Sequence, residues 1–500
     1  MPGGQSNGSN VSVPYVLTID VGTSSARAML FDSRGQAVEG MAVREQHPMH
    51  VRPDGAVEDD IDHVMDRIVT VIDRLLAQAE PLAGQIGAVA MDTLVSNALG
   101  VDADGRPITP VYTYADTRPV RDVETLRELL DEEETHARTG CRFHTSYLPA
   151  RFLWLERVNP ERFESVQHWT SIGEYVYQQF FGRTACSYSV ASWSGLLNRH
   201  RLTWDDDLLA ALPIRPDQLS ELTDVGRPFL GLLTKWARRW PALRDVPWFP
   251  AIGDGAAANI GSGCTSPDRV ALTIGTSGAM RVVLPGTPEN LPPGLWCYRV
   301  DARRSLLGGA LSEGGNVLAW ARQTLRLGTA RAVEEQLQRM EPDGHGLTVL
   351  PFLAGERSPG WQPEARAVLG GLSLATRPVD ILRAFLEAVA YRFAIVDEML
   401  RAAAPDTGEI VASGGGLLSS PAWLQIMADV LGRPIHVSAE VETTSRGGAL
   451  LALEALGVVA DVGRVPVTLG PTYEPDEARH SRYAEAIARQ QKLYAAIGAQ

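Results

Sequence analysis

The stretch LTIDVGTSSARAMLFD (residues 17–32) decides how the chain is read. An apolar run stops on Asp20, passes through Gly22-Thr23-Ser24-Ser25 and turns apolar again, which predicts a β-hairpin and not a strand-turn-helix. A carboxylate buried at a strand end beside small residues is costly without a partner, so the pattern calls for a charged group there. A P-loop is excluded, because its glycine stretch must end in Lys-Ser/Thr and open a helix. No GxGxxG is present either, which disfavours a dinucleotide site.

The theme returns about 250 residues later in VALTIGTSGAMRVVL (residues 270–284), again a strand, a Gly-Thr-Ser turn and a strand. This recurrence predicts duplicated halves, each bringing one hairpin to a shared cleft. Gly22, Thr23, Ser24 and Ser25, with Gly275, Thr276, Ser277 and Gly278, offer unobstructed backbone N–H groups and hydroxyls able to cradle polyphosphate without a lysine. Two ordinary hairpin turns are the plain alternative. Asp20 beside the first turn is read as a Mg2+ ligand, or else as an aspartate capping its own turn.

A chain of 500 residues exceeds what one hydrophobic core usually serves, so two or more domains are expected. Hydrophobic residues at 45% and charged residues at 21% are ordinary globular composition. The formal net charge of -14 opposes broad binding to nucleic acid or anionic membranes, so any anionic ligand must be held by local groups. The four cysteines, Cys141, Cys186, Cys264 and Cys297, lie far apart without CxxC spacing and read as reduced thiols that bind no metal. The opening MPGGQSNGSNVSVP lacks both a basic and an apolar signal region, and no run approaches the roughly 20 apolar residues of a membrane span. The expectation is a cytoplasmic enzyme or binding protein with a flexible tail over 1–14.

Helical spacing of Ile61, Val64, Ile68, Ile72 and Leu75 predicts a helix over 61–79, and IGAVAMD (86–92) a following strand. A second helix is predicted over 380–400 with Ile381, Phe385, Leu386, Val389 and Phe393 on its core side, and an amphipathic one near the end of the chain. FPAIGDGAAANIGSGCT (249–265) reads as a strand that ends at Gly253-Asp254-Gly255 and gives way to a helix of very small residues. Asp254 is either that helix's N-cap or a cleft carboxylate able to act as general base; the flanking glycines favour the second. ASGGGLLSSPAWLQIMADVLGRPI (412–435) carries glycines, Gly414 and Gly415 among them, that admit the flat face of a nucleoside, or form a plain strand-to-helix turn. Asp116 and Arg118 in VYTYADTRP alternate along the chain, and read equally as a polyol-binding pair or a structural ion pair. His47 and His50 lack a third ligand and are read as surface residues.

In this order, the segments resemble the FGGY family of carbohydrate kinases over nearly the whole chain after the tail. TIDVGTSSARAMLFD and LTIGTSGAMR resemble its two phosphate motifs, GDGAAANIGSG its catalytic-aspartate motif, and SGGGLLSSPAWLQIMADVLGRPI its adenosine-side signature. The resemblance implies an α/β fold of two duplicated lobes of the actin, Hsp70 and hexokinase type, ribonuclease H-like, around a central cleft. The lobes are expected over 15–250 and 251–475, with a C-terminal helix over 476–500. ATP and Mg2+ are the implied cofactors, a small sugar the partner, and a homodimer is compatible with it.

By the same resemblance Asp254 is the general base and, with Asp20, holds Mg2+. Thr23, Ser24, Arg27, Gly275 and Thr276 face phosphate; Gly315, Gly415 and Ser419 lie along the nucleotide; Ser96, Asn97, Gly255 and Arg357 join Asp116 and Arg118 on the substrate side. GGALSEGGNVLAW and LPFLAGERSPGWQPEARAVLGGLSL look most like the gluconate kinases, which makes gluconate the first expected substrate and xylulose, ribulose or another polyol the alternatives. Two departures reshape the sugar side: Val95-Ser96-Asn97 stands where those kinases carry a His-Ser pair after methionine, and Ser187 where many relatives carry aspartate. The rivals are a non-catalytic ATP switch of the actin or Hsp70 kind and an ATP-independent sugar-binding protein.

Overall fold

The computed structural model describes residues 15–498, so the tail expected over 1–14 lies outside the described residues. β1 (Tyr15–Val21) and β2 (Ser25–Asp32) form the expected antiparallel hairpin, and β3 (Ala37–Gln46) continues the meander. α1 (Ile61–Gln78) follows, its first turn capped by the Asp60 carboxylate, which accepts from the N–H groups of Asp62 and His63. β4 (Ile86–Thr93) then pairs parallel with β1, and the two-residue β5 (Ile252–Gly253) parallel with β4. The sheet order is β5-β4-β1-β2-β3.

α2 (Asp254–Gly261) leaves that sheet and leads into a second one. Its strands are β6 (Arg269–Ile274), β7 (Gly278–Pro285), β8 (Trp296–Arg299), β9 (Arg304–Leu311), β10 (Glu409–Ser413), β11 (Ile435–Ser438) and β12 (Leu469–Tyr473), in the order β8-β9-β7-β6-β10-β11-β12. The inner run β9-β7-β6-β10-β11 repeats β3-β2-β1-β4-β5, with the same two antiparallel and two parallel pairings. The duplication suspected from the two Gly-Thr-Ser turns is thus a duplication of whole sheets. The first sheet takes in Ile252 and Gly253, just beyond the division expected at 250.

Strands buried on both faces read as continuous apolar runs, and each sheet is covered accordingly. In the first lobe Leu17, Ile19 and Leu30 pack with Val64, Ile68 and Leu75 of α1. α3 (Pro378–Ala403) runs through the second core, where Phe385, Leu386, Val389 and Phe393 are buried and Ile381 only partly so. The opposite face of the first sheet, Val16, Met29, Phe31, Ala88 and Ala90, is covered by Ala449, Ala452 and Leu453 of α4 (Thr443–Ala455). The chain therefore returns late from its second half to complete the core of its first. α5 (Glu477–Gly498) closes the second lobe through Tyr483 and Ala486.

α2 and α4 cross at backbone contact. A Cβ on Gly261 would lie 1.8 Å from the Thr443 carbonyl oxygen, and one on Gly447 1.9 Å from that of Ala257. The run of small residues after Asp254 is therefore explained by helix against helix, with no ligand needed. Arg446 holds the crossing, donating to the carbonyls of Gly35, Gly261 and Pro466. A second seam joins the halves at Gly140, whose carbonyl accepts from Cys297 N–H at 3.0 Å, and at His136, whose Nε2 lies 2.8 Å from Leu295 O. All four cysteines are buried and free. His50 is exposed as expected, but His47 is not a surface residue: it is buried with Nδ1 3.2 Å from Asp59 Oδ2. Among the described residues no helix is long and apolar enough to cross a membrane.

Two predictions follow from these contacts. Gly447→Ala should lower stability by about 1–3 kcal/mol in urea unfolding, as overpacking does, whereas Gly84→Ala, where a Cβ meets nothing within 4 Å, should be neutral; equal midpoints would contradict the close crossing. Burial pushes the His136 pKa down to about 4. An unfolded histidine takes up its proton near pH 6.5, so folding stability should fall as pH drops from about 6.5 towards 4, by up to about 1.4 kcal/mol per unit. His136→Gln, which keeps a donor for Leu295, should show a shallower decline over that window.

Candidate active site

Parallel register assembles the site. Asp20 near the end of β1 pairs with Asp92 on β4, Asp92 pairs in turn with Ile252 on β5, and Asp254 follows two residues later as the first residue of α2. Because β1, β4 and β5 run the same way, their carboxyl ends deliver three carboxylates to one edge, where ligands of open α/β sheets bind. Asp20 and Asp254 were expected there; Asp92 was not singled out. Its signal was nonetheless present, since IGAVAMD ends on aspartate in the same way as LTID.

The charges are held apart by few cations. Arg27, opposite Asp20 in the hairpin, places Nε 3.4 Å from Asp20 Oδ2 and also pairs with Glu442 beside the start of α4. Burial raises the Asp20 pKa against the pull of Arg27. Asp92 is fully buried in hydrogen-bond contact with the Asp20 carboxyl, and burial, followed by the charges of Asp20 and Asp254, lifts its pKa well above the carboxylate range. Asp254 rises to about 6: burial drives it up, the Gly255 N–H donating to Oδ1 at 2.7 Å opposes, Asp20 adds to the rise, and Arg281 opposes. Asp20 and Asp254, hard oxygen donors with only Arg27 and Arg281 near them, are chemically suited to a divalent cation such as Mg2+.

The flanking glycines of Asp254 serve packing. A Cβ on Gly253 would lie 2.9 Å from Trp193 Nε1, and one on Gly255 2.7 Å from Arg281 Nη1. Asp254 does not cap α2; Gly253 holds the cap position without a side-chain bond. The helix Tyr188–Trp193 is fixed by Ser187, which accepts from Val190 N–H and donates to Ala251 O at 2.6 Å, and by Ser189, whose Oγ accepts from Gly253 N–H. Ser187 thereby does the capping work at one of the two departures.

Both Gly-Thr-Ser turns are closed by a backbone hydrogen bond of their own. Gly22 N–H donates to Ser25 O and Gly275 N–H to Ser277 O, each at 3.0 Å, while Thr23 is half-buried and Ser24 and Thr276 are exposed. Ser25 is the exception: it is buried and its Oγ accepts from Arg44. Around the second turn, Gly315 N–H donates to Gly275 O at 2.8 Å, and a Cβ on Gly414 (φ +92°) would lie 2.5 Å from Ile274 O. Gly415 faces open space, and the exposed Ser419 donates to Gly416 O. The structure thus brings Gly275, Thr276, Ser277, Gly315, Gly414 and Gly415 together as one glycine-lined surface.

Next to Asp254 lies a cavity of about 310 Å³ lined by both halves of the chain. Of the residues expected on the substrate side, Ser96, Asp254, Gly255 and Arg357 line it; Asn97, Asp116 and Arg118 do not. Asn97 donates to Leu94 O and accepts from Ile172 N–H. Arg118 is engaged with Asp116 and Glu58 and lies over the Trp154 ring at 4.3 Å, which is the structural ion pair. Sequence reasoning missed the rest of the wall: Tyr114, Trp193, Trp296, Tyr298, Trp361 and the buried Arg281. Trp193 stacks on Tyr298 at 3.8 Å. Arg281 is the more legible omission, a lone charge in the apolar strand after the second turn.

Comparison with known proteins agrees with this arrangement. The model of the N-terminal domain of the FGGY family of carbohydrate kinases matches residues 15–261, and that of the C-terminal domain residues 270–456. The gluconokinase of Bacillus subtilis (strain 168) is 27% identical over 470 residues, covering 92% of this chain and 91% of that protein. Among solved structures, a gluconate kinase from Lactobacillus acidophilus superposes with a TM-score of 0.90 at 26% identity, covering 97% of this chain and 98% of the other. A ligand-bound xylulose kinase from the same organism reaches the same TM-score and identity over 97% and 99%. With both domains matched and the doubled sheet framing a carboxylate-floored cleft, the chain belongs to the FGGY family of carbohydrate kinases and is a sugar kinase.

Proposed function

We propose that this kinase transfers the γ-phosphoryl group of ATP to a terminal hydroxyl of a small sugar acid, D-gluconate, giving 6-phosphogluconate. The observation that carries this reading is the placement of two guanidinium groups, Arg281 and Arg357, in the wall of a cavity that also holds Asp254, in a protein of formal net charge -14. An anionic substrate needs such local cations. Arg357 donates to Leu311 O through Nη2, and Tyr114 feels the charges of both Arg357 and Asp254, which supports a substrate spanning from one to the other. The likeness to gluconokinases supports the same choice.

In this mechanism Asp254 accepts the proton of the attacking hydroxyl. A pKa near 6 leaves it ionised at neutral pH yet more basic than an ordinary aspartate, as a general base requires. The amides of the two Gly-Thr-Ser turns donate to phosphate oxygens, and closure of the lobes excludes water that would hydrolyse ATP. Asp20 and Asp254 would hold Mg2+, which when bound would supply neutralisation of phosphate charge. Thr23, Ser24 and Arg27 on one side, with Gly415 and Ser419 on the other, bracket the nucleotide.

A second reading, a neutral ketopentose such as xylulose or ribulose, is favoured by the sugar-side departure. Ser96 Oγ is engaged with Trp193 O and the Asn97 amide with backbone, so this segment offers few polar contacts of its own. The deciding assay is ADP release with MgATP across D-gluconate, D-xylulose, D- and L-ribulose and glycerol. D-gluconate should respond most strongly; a ketose as the sole strong responder would replace it. Arg357→Ala should raise KM for gluconate at least tenfold and leave that for a neutral ketose nearly unchanged, and equal effects would reject the carboxylate contact. Asp254→Ala should cut turnover by roughly 100- to 10,000-fold, and near wild-type turnover would remove the aspartate from its role as base.

A further inference from the structure

We propose that Arg151, which does not line the cavity, is a positioning residue for the acceptor: one buried guanidinium holds three separate segments of the sugar-side wall in place, and so sets acceptor affinity without touching the sugar. The proposal rests on the reading of the cavity as the acceptor site of a sugar kinase, and not on gluconate as the acceptor.

Arg151 lies in the helix Leu148–Val158 and is fully buried. Its Nη1 donates to Ser96 O at 2.9 Å, and its Nη2 to Thr113 O at 2.6 Å and to Thr145 O at 3.1 Å. Each of these carbonyls is at the cavity wall or one residue from it. Val95 and Ser96 line the cavity, Tyr114 follows Thr113, and Ser146 and Tyr147 follow Thr145. Among the described residues before Trp193, these five make up the whole contribution to the wall. They come from three stretches separated along the chain, and Arg151 is where the three are joined. The same helix reaches the next stretch as well, since Leu148 N–H donates to Ser194 O at 2.9 Å, beside Trp193.

The chemistry explains why an arginine stands here. A planar guanidinium presents its N–H donors in a fixed fork and can serve carbonyls arriving from different directions, whereas an ammonium is a compact point charge. Burial pushes the Arg151 pKa down to about 10, with the charge of Asp116 opposing, so the group is cationic at neutral pH. A buried cation is costly unless hydrogen-bonded, and an apolar side chain of similar volume would satisfy packing alone. Strain marks the same place. Ser96 has a φ of +54°, in the left-handed region that serine enters at a cost, and it is the Ser96 carbonyl that Nη1 holds.

The competing reading is a residue that stabilises the first lobe and does nothing more. Steady-state ADP release by the full-length chain separates the two, using whichever of D-gluconate, D-xylulose, D-ribulose, L-ribulose and glycerol the wild type turns over fastest. Arg151→Lys and Arg151→Met should each raise KM for that acceptor by about tenfold or more, the Met variant further, with KM for MgATP nearly unchanged. Arg157→Met, on the same helix, removes the pairing with Asp122 and should leave both KM values as they are. A purely stabilising role would lower the active fraction, and with it apparent turnover, while neither KM moved. Hydrogen exchange of the sugar-free protein reads the clamp without turnover: in Arg151→Lys the amides of 94–98, 112–116 and 143–148 should lose protection together, and those of β1 and β6 should keep theirs.

Unchanged acceptor KM in the variants would overturn the proposal, as would an equal rise in both KM values or loss of protection in one segment alone. Should the Met variant fail to fold, the Lys variant decides. A wild-type preference for a neutral ketose over D-gluconate would overturn the substrate reading and leave the role of Arg151 standing.

Discussion

Three carboxylates of like charge, lined up by strand register at the edge of one sheet, set the problem that the rest of the structure answers. Burial is the main cause of the raised pKa values of Asp20, Asp92 and Asp254, and the neighbouring carboxylates add to the rise at Asp92 and Asp254. The protein's own cations compensate only in part. Arg27 covers Asp20, Arg281 approaches Asp254 at the cost of its own desolvation, and Asp92 has only the hydrogen bond with Asp20 and the more distant pull of Arg27. Such a cluster is stable enough to fold because its scaffold is rigid, and it remains unsatisfied in a way that favours a bound cation with its anionic phosphates. Function and local instability have one origin here.

Rigidity comes from the crossing of α2 and α4. Only glycine at 261 and 447 lets the two backbones meet, and that meeting fixes the start of α2, where Asp254 sits, relative to the sheet that carries Asp20 and Asp92. α4 belongs to the second half of the chain yet covers the first sheet, so the two lobes are not independent bodies joined by a linker. Arg446, bonded to Gly35, Gly261 and Pro466, draws contributions from three distant segments into the same joint.

The sequence made some of this legible and concealed the rest for identifiable reasons. Local patterns were reliable where one element explains itself: the hairpin around Gly22, the α1 stripe, the strand ending at Gly253 and the second Gly-Thr-Ser turn all lie where periodicity and turn chemistry put them. The repeat was readable because each sheet opens with the same hairpin. What could not be read was whatever depends on a neighbour far along the chain. The small residues of α2 permit close approach by backbone or ligand, and it is the backbone of α4, nearly two hundred positions later, that makes it. Asp116 and Arg118 alternate as a binding pair would, but Glu58 and Trp154 claim the arginine. His47 lacked a visible partner because Asp59 comes from another strand segment.

Substrate choice is the extreme case of that dependence. The surface proposed to handle phosphate is made of two short contiguous turns and a glycine cluster, so its chemistry survives translation into a motif. The sugar cavity is instead assembled from single residues, Ser96, Tyr114, Trp193, Arg281, Tyr298 and Arg357, scattered over more than half the chain. Its aromatic walls provide apolar contact and stacking that any sugar accepts. Discrimination between an acid and a neutral ketose rests on the few polar groups that remain free within those walls. With Ser96 and Asn97 tied to backbone and Arg118 withdrawn into an ion pair, the charged groups that line the cavity are Asp254, Arg281 and Arg357. In the proposed reading a neutral polyol uses the carboxylate alone, whereas a sugar acid also meets Arg281 or Arg357 at its other end. Of the two, Arg281 is buried with its Nε lacking a hydrogen-bond partner, and a buried charge left unpaired costs more than a missing neutral hydrogen bond, so the proposed acid answers the same kind of electrostatic constraint as the carboxylate edge.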